Sequence, residues 1–177
     1  LNLHKGDRVA AYVPNKIETI ICFLACTKNG IIWSSCSPDF GAQGVVDRFK
    51  QIEPKVFITC DYYYYNGKKI NILDKVEKIL KQIPSIKKVI AFNYNKKERE
   101  SLKNFINFEE TLKNDLDEVF ERFEFNHPIY ILFSSGTTGK PKCITHGSGN
   151  VLIEHNKEFM LHCDIRDNEK LFYYTTT

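Results

Sequence analysis

Hydrophobic positions along the chain fall into short blocks whose spacing alternates between that of a strand and that of a helix. "RVAAYVP" (Arg8 to Pro14) is a continuous β-like run ended by proline. "KIETIICFLACTKNG" then sets Ile17, Ile20, Ile21, Leu24 and Ala25 at helical spacing up to a stop at Gly30. "IIWSSCSP" predicts the next strand, "GAQGVVDRFKQIEP" a helix with Val45, Val46, Phe49 and Ile52 on one face, and "KVFITC" a further strand. "NILDKVEKILKQI" repeats Ile72, Val76, Ile79, Leu80 and Ile83 at helical spacing until Pro84-Ser85 breaks it, and "KKVIAF" predicts a fourth strand. Strands alternating with helices of about ten to fifteen residues imply βαβ units with right-handed crossovers. The expected fold is α/β: a doubly wound, mostly parallel sheet with helices on both faces.

Residues 93 to 127 interrupt this rhythm with a charged, asparagine-rich stretch. It predicts an exposed excursion with one or two short helices, its charges forming a solvated face. A strand at 129 to 133 follows, then a loop. "KCITHGSGNVLIEHNKEFMLHCDI" predicts a strand, a turn at Gly147-Ser148-Gly149, and a helix from Val151 to His162. No internal repeat is present, and "YYYY" at 62 to 65 is the one low-complexity stretch.

Composition agrees with a globular fold, since 42% hydrophobic and 13% aromatic residues exceed what a disordered chain carries. A net charge of +3 argues against nucleic-acid binding. The most basic stretches, Lys87-Lys88 and Asn95 to Arg99, are also short and lack interleaved aromatics. The six cysteines (Cys22, Cys26, Cys36, Cys60, Cys143 and Cys163) sit singly in apolar segments, which fits reduced packing residues of a cytosolic protein. Cys22 and Cys26 have no second pair at metal-ligand spacing, and the histidines form no HxxxH pair, so no residue is nominated as a metal ligand. No apolar run approaches the ~18 residues that would span a bilayer, and no signal-peptide pattern opens the chain. Leu1 starts two residues before the turn at His4-Lys5-Gly6-Asp7, and "LFYYTTT" reads as a strand in progress. The expectation is that residues 1–177 are an internal piece of one larger domain.

The densest chemistry lies in "SSGTTGKPK", Ser134 to Lys142. Ser134, Ser135, Thr137 and Thr138 offer hydroxyl donors. Gly136 and Gly139 let the backbone adopt positive φ and turn successive N–H groups toward one point. Lys140 and Lys142 add positive charge. Convergent donors and cations after an apolar strand make an anion site, and a polyphosphate is the natural guest. The alternative is a polar hairpin loop without a ligand, which the order of all these residues disfavours. The P-loop pattern G-x-x-x-x-G-K-S/T does not fit, because Ser134 stands at its first glycine and Pro141 follows Lys140. Proline also prevents a helix from starting there as it would after a P-loop. The phosphates are therefore expected in a mobile loop between strands.

This stretch resembles the phosphate-binding signature S/T-S-G-S/T-T-G-x-P-K of the adenylate-forming (AMP-binding) superfamily, which includes acyl-CoA synthetases, luciferases and peptide-synthetase adenylation domains. "IIWSSCSPDFGAQGVVDRFKQIEPKVFITCDYYYYNGKK" and "HGSGNVLIEHNKEFMLHCDI" are similar to the acetoacetyl-CoA synthetases of that superfamily. The resemblance implies part of the large N-terminal domain, with 93–127 as a variable excursion and the small C-terminal domain outside the chain. It implies that Ser134, Ser135, Gly136, Thr137, Thr138, Gly139, Lys140 and Lys142 hold the β- and γ-phosphates of ATP with magnesium. Thr137 and Lys142 act on the leaving pyrophosphate, and either Lys140 or Lys142 supplies the countercharge. Tyr65, Asn66, Gly67 and Lys68 fall where related enzymes approach CoA, an ordinary surface turn being the alternative. Trp33 and Asp39 mark the subfamily and read as a core tryptophan and a helix-capping aspartate, and His146 reads as a hydrogen-bonded histidine at a strand end. The implied activity is ATP-dependent activation of acetoacetate and its transfer to CoA, in the cytosol. The alternatives are a synthetase for acetate or propionate, or a non-catalytic nucleotide-binding homologue. Oligomeric state is not legible.

Overall fold

A computed structural model of the chain describes residues 1–95, 102, 104–112, 120–135 and 139–175. In chain order the elements are β1 (Arg8–Tyr12), α1 (Ile17–Lys28), β2 (Ile32–Cys36), α2 (Ala42–Ile52), β3 (Val56–Cys60), β4 (Tyr62–Tyr65), β5 (Lys68–Asn71) and α3 (Leu73–Gln82). They continue with β6 (Lys88–Phe92), β7 (Ile106–Asn107), α4 (Phe108–Thr111), β8 (Pro128–Ser134), β9 (Lys142–Gly147) and α5 (Ser148–Lys157), which ends in a π-helical turn at Glu158–His162. Seven strands form one sheet in the order β7-β6-β3-β1-β2-β8-β9, and β4 and β5 pair separately. Every pairing of the large sheet is parallel except β8 with β9.

The strand order fixes where the helices lie. The chain steps one way from β1 to β2, then back past β1 to β3 and on to β6. Right-handed crossovers therefore put α1 on one face and α2 and α3 on the other. Side chains agree: Val9, Val56, Ile58 and Ile90 share a cleft with Cys22 and Cys26 of α1, while Phe49 of α2 meets Phe57 edge-on at 6.2 Å. Covered on both faces, all five residues of β3 are buried.

Several expectations are corrected by the packing. The stripe Ile17, Ile20, Ile21 and Leu24 of α1 points outward, and Glu18, Thr19, Cys22 and Cys26 are buried. Apolar on more than one side, this helix has a clear period but no single apolar face, and the smaller side chains are the ones laid on the sheet. The strand at 129–133 is only partly covered: within β8 Ile131 is buried while Leu132 is 45% exposed, because β8 lies one strand from the sheet edge. No separate turn forms at Gly147-Ser148-Gly149. The helix starts at Ser148, and its first amides donate to residues 125–127 (Ser148 N to His127 O and Gly149 N to Phe125 O, each 2.9 Å), satisfying groups that a cap otherwise serves. Residues 171–175 form no strand, and Thr175 O instead accepts Asn15 Nδ2 at 2.6 Å.

Within the excursion, β7 extends the sheet beyond β6, and Phe108 of α4 is buried against Phe92. Residues 120–127 then run under the α1–β2 turn. There Phe123 stacks on His127 at 4.8 Å, His127 Nε2 lies 2.9 Å from Gly30 O, and Lys5 and Lys28 cover the Phe123 and Phe120 rings.

Candidate functional site

Parallel strands send their following loops to one edge of the sheet. The turns after β1 and β2, the β4–β5 hairpin after β3, and the loop after β8 all emerge at this carboxyl edge. The crossovers leaving β1 and β3 run in opposite directions, so the crevice between these neighbours is a topological switch point, where α/β sheets bind ligands.

The phosphate-loop candidate lies between two strands, as expected. Ser134 pairs with Lys142, and the register continues through Phe133 with Cys143 to Tyr130 with His146. Ser134 is half-buried, whereas Ser135, Gly139, Lys140 and Lys142 are exposed. Gly136, Thr137 and Thr138 lie outside the described residues. Gly139 has φ +146°, and a Cβ there would meet nothing within 4 Å, so backbone conformation rather than space calls for glycine. One limb of the loop is tied to α2: Gln51 Nε2 donates to Pro141 O at 2.8 Å, and the Cys143 thiol faces Gln51 Oε1 at 3.6 Å. Lys140 borders an open depression with Asp47, Lys50 and Gln51.

Tyr65, Asn66, Gly67 and Lys68 form the exposed tip of a hairpin. Asn66 (φ 47°) and Gly67 (φ 74°) occupy the two left-handed positions of a two-residue loop, and Tyr65 pairs with Lys68. The Asn-Gly dipeptide beside four tyrosines was the sequence signal for this hairpin. Its root is Asp61, fully buried, whose Oδ1 accepts Tyr62 N and Tyr94 N at 2.8 Å and whose Oδ2 accepts Asn93 Nδ2 at 2.9 Å. Asp61 O also accepts Ile72 N at 3.1 Å where the crossover resumes. Behind the hairpin, Tyr62, Tyr64 and Tyr94 pack together, with Lys69 Nζ 3.9 Å from the Tyr62 ring centroid. Hairpin and phosphate loop stand three strand positions apart, about 14 Å at the usual strand spacing.

Between them lies a cleft of about 180 Å³, lined by Asn15, Ser37, Asp39, Tyr63 and Tyr65 among others. The turn after β2 is heavily braced. The buried Tyr12 hydroxyl sits 2.8 Å from Pro38 O and 2.7 Å from Phe40 O, Lys75 donates to Pro38 O, and the Arg48 guanidinium covers the Phe40 ring at 4.4 Å. Asp39 does not cap a helix. Gly41 is the N-cap residue of α2, and the Asp39 carboxylate instead accepts the Ser37 hydroxyl at 2.9 Å, with Tyr63 lining the same cleft. Burial first, and the neighbouring Asp39 carboxylate second, push the Tyr63 phenol up to about 12. His146 packs its ring on Tyr130 at 5.0 Å, with no side-chain hydrogen bond among the described residues, while Trp33 is buried in the core as read. Burial pushes the Cys22, Cys26 and Cys36 thiols up to about 12, which keeps them protonated and unreactive.

A family model described as AMP-binding enzyme matches residues 1–175. The chain belongs to the AMP-binding enzyme family. Among its relatives, the acetoacetyl-coenzyme A synthetase of Rhizobium meliloti is 49% identical over 97% of this chain and 27% of that protein. The acetoacetyl-CoA synthetase of Gallus gallus is 41% identical over 97% of this chain, again 27% of its own length. A solved structure of the acetoacetyl-CoA synthetase from Streptomyces lividans superimposes with a TM-score of 0.93 at 39% identity, covering 99% of this chain and 27% of that one. The chain thus spans about a quarter of the length of the relatives it matches, and its α/β sheet is one that this AMP-binding family shares.

For an AMP-binding enzyme the carboxyl edge has suitable chemistry. Its described flanks supply the exposed Lys140 and Lys142 and an open glycine backbone at one end, and exposed Tyr65 with Lys68 at the other. Among the described residues no group of three His, Cys, Asp or Glu side chains could hold a metal ion, and no helix is long and apolar enough to cross a membrane.

Proposed function

We propose that this chain is the phosphate-gripping part of the large domain of an acetoacetate–CoA ligase. An acetoacetate carboxylate oxygen attacks the α-phosphorus of ATP, and the bond to pyrophosphate breaks. The CoA sulfur then attacks the acyl carbon, the bond to AMP breaks, and the thiol proton is released. Two anions must meet in the first step, so stabilising the leaving pyrophosphate is the main electrostatic task. Ser134 to Lys142 carry it: hydroxyls and backbone amides orient the β- and γ-phosphates for in-line attack, and Lys142, with Lys140 beside it, offsets the charge that develops. Magnesium brought in with ATP would supply further shielding of the same charge, beside that of Lys140 and Lys142. The hairpin tip at Tyr65 to Lys68 contacts CoA.

The observation that carries this reading is the likeness to acetoacetyl-CoA synthetases over 97% of the chain, at 49% identity in the bacterial relative. Relatives bearing that name favour acetoacetate over acetate or propionate. The partners are these small molecules, and the unpaired thiols agree with a cytosolic setting. The test is acid-dependent exchange of labelled pyrophosphate into ATP by the complete ligase, on a panel of short acids. Acetoacetate should support the fastest exchange. Faster exchange with acetate or propionate would reassign the substrate, and binding of ATP without any exchange would make the protein a non-catalytic homologue.

A further inference from the structure

Lys142, to which the proposed function gives the pyrophosphate charge, stands where the sheet alone holds it poorly. It is the first residue of β9, and β9 ends the strand order, with β8 on one side and no strand on the other among the described residues. A strand end paired on one side only opens at low cost. A side chain from another element closes this end. Gln51, in the last turn of α2, donates from Nε2 to Asp47 O at 2.7 Å and to Pro141 O at 2.8 Å, and its Oε1 faces the Cys143 thiol at 3.6 Å. An amide nitrogen carries two N–H donors, and both are used here. Because both partners are carbonyls, only the nitrogen can face them, and the amide is locked in one orientation. Its two contacts with the loop fall on the residues either side of Lys142. Phe133, paired with Cys143, meets Phe49 of α2 at 6.4 Å, so both lie on the α2 face of the sheet. Side chains alternate along a strand, which puts Lys142 on the opposite face together with its partner Ser134.

We propose that Gln51 is a positioning residue for adenylate formation: by clasping residues 141 and 143 it fixes the start of β9, so that the Lys142 ammonium is held toward the β- and γ-phosphates. This rests on the phosphate role of Lys142 proposed above. A lysine carries its charge on a flexible four-carbon stem, so the backbone at its root is the part that a neighbour can fix. A charge aimed at a transition state is worth most when it is already in place, because no reorganisation is then needed. The hold comes from the rigid part of the fold, since α2 is anchored by the fully buried Val45 and Phe49.

The test uses the complete ligase and measures its two half-reactions separately. Gln51→Met keeps the length and helix propensity of the side chain but has no donor for Pro141 O. It should lower kcat for acetoacetate-dependent pyrophosphate exchange about tenfold, the equivalent of about 1.4 kcal/mol, while KM for ATP changes less. Transfer from preformed acyl-adenylate to CoA should keep its rate. Combination with Lys142→Ala gives a readout that a general structural role would not move. In that background Gln51→Met should have no further effect on exchange, because the group it positions is gone. Lys142→Ala by itself is the reference. If Lys142→Ala slows exchange and Gln51→Met does not, the positioning role is overturned and the phosphate role of Lys142 stands. If Lys142→Ala leaves exchange unchanged, the phosphate role falls and the positioning role falls with it. A Gln51→Met loss that is equal in both half-reactions, or the same with and without Lys142, would mark a general loss of structure and overturn the proposal. A rise in KM for ATP with kcat unchanged would also overturn it.

Discussion

Gly30 gives a prediction whose size follows from geometry. It ends the turn between α1 and β2 with φ +65°, and a Cβ built there would lie 2.6 Å from Phe123 Cε1, 2.9 Å from Cζ and 3.2 Å from His127 Nε2. Gly30→Ala therefore has two costs. The left-handed backbone costs an L-residue about 1 kcal/mol, and forcing a methyl into the Phe123 ring costs about 1 to 3 kcal/mol more. Because Phe123 stacks on His127, and His127 reaches Gly30 O, the strain falls on the 120–127 segment that also receives the first amides of α5. The assay is native-state amide exchange at Ser148 and Gly149, whose N–H groups donate to His127 O and Phe125 O. A loss of about 2 to 4 kcal/mol in local stability accelerates exchange there by roughly 30-fold to nearly 1000-fold. Adding Phe123→Ala should relieve the clash while the backbone cost remains, so the double variant should protect these amides better than Gly30→Ala alone. Unchanged exchange in Gly30→Ala, or a double variant worse by the full sum of both changes, would refute the reasoning.

Other expectations follow from the loop, the hairpin and the amino-terminal turn. In the complete ligase, Thr137→Ala and Lys142→Ala should slow adenylate formation by roughly 30-fold to nearly 1000-fold, about 2 to 4 kcal/mol per lost donor or charge, while sparing transfer from preformed acyl-adenylate; single-turnover kinetics of the two steps decide. Gly67→Ala, at φ +74° with nothing within 4 Å of the new methyl, should cost about 1 kcal/mol of hairpin stability and leave the large sheet's amides protected in exchange measurements. Asp7 carries a pH prediction. Burial pulls its pKa up, but the Lys55 ammonium at 2.7 Å and the His4 amide at 2.9 Å outweigh burial and hold it below the ordinary aspartate value. Its ionised form therefore stabilises the fold above the unfolded-state pKa, and that contribution disappears as pH falls through the lower folded value. Asp7→Asn should flatten the acid limb of a stability-versus-pH curve and leave its neutral region lower.

Much of the architecture was legible because it depends on local period. The three βαβ crossovers through Phe92 are written in blocks of apolar spacing, and buried parallel strands such as "KVFITC" need no partner to be recognised. What escaped depends on tertiary neighbours. Spacing marks α1 as a helix but does not choose between a face of isoleucines and one of Glu18, Thr19, Cys22 and Cys26, because the sheet makes that choice. Two-residue β7 is too short to have a period. Asp39 looked like a cap because capping is the usual use of aspartate before a helix, but Gly41 takes that position and the Asp39 carboxylate accepts the Ser37 hydroxyl instead. The hairpin alone was readable and missed: Asn66-Gly67 announces it in the sequence. For the candidate phosphate loop, residue order is the basis of the proposed chemistry, and the structure adds two anchoring strands and the Gln51 tether.

The root of that hairpin has a consequence for engineering. Asp61 receives the amides on both sides of the detour, its carbonyl bonded to Ile72 N where the crossover resumes and its carboxylate closing onto Asn93 and Tyr94 at the end of β6. The sheet's register is thus closed beneath the hairpin, at a point where the chain has already come back on itself within 3.1 Å. Residues 65–68, all exposed, form a tip on a finished junction: they can be exchanged for another turn with different aromatic and cationic side chains, while the buried Tyr62 and Tyr63 stay with the core and β3, α3 and β6 keep their places.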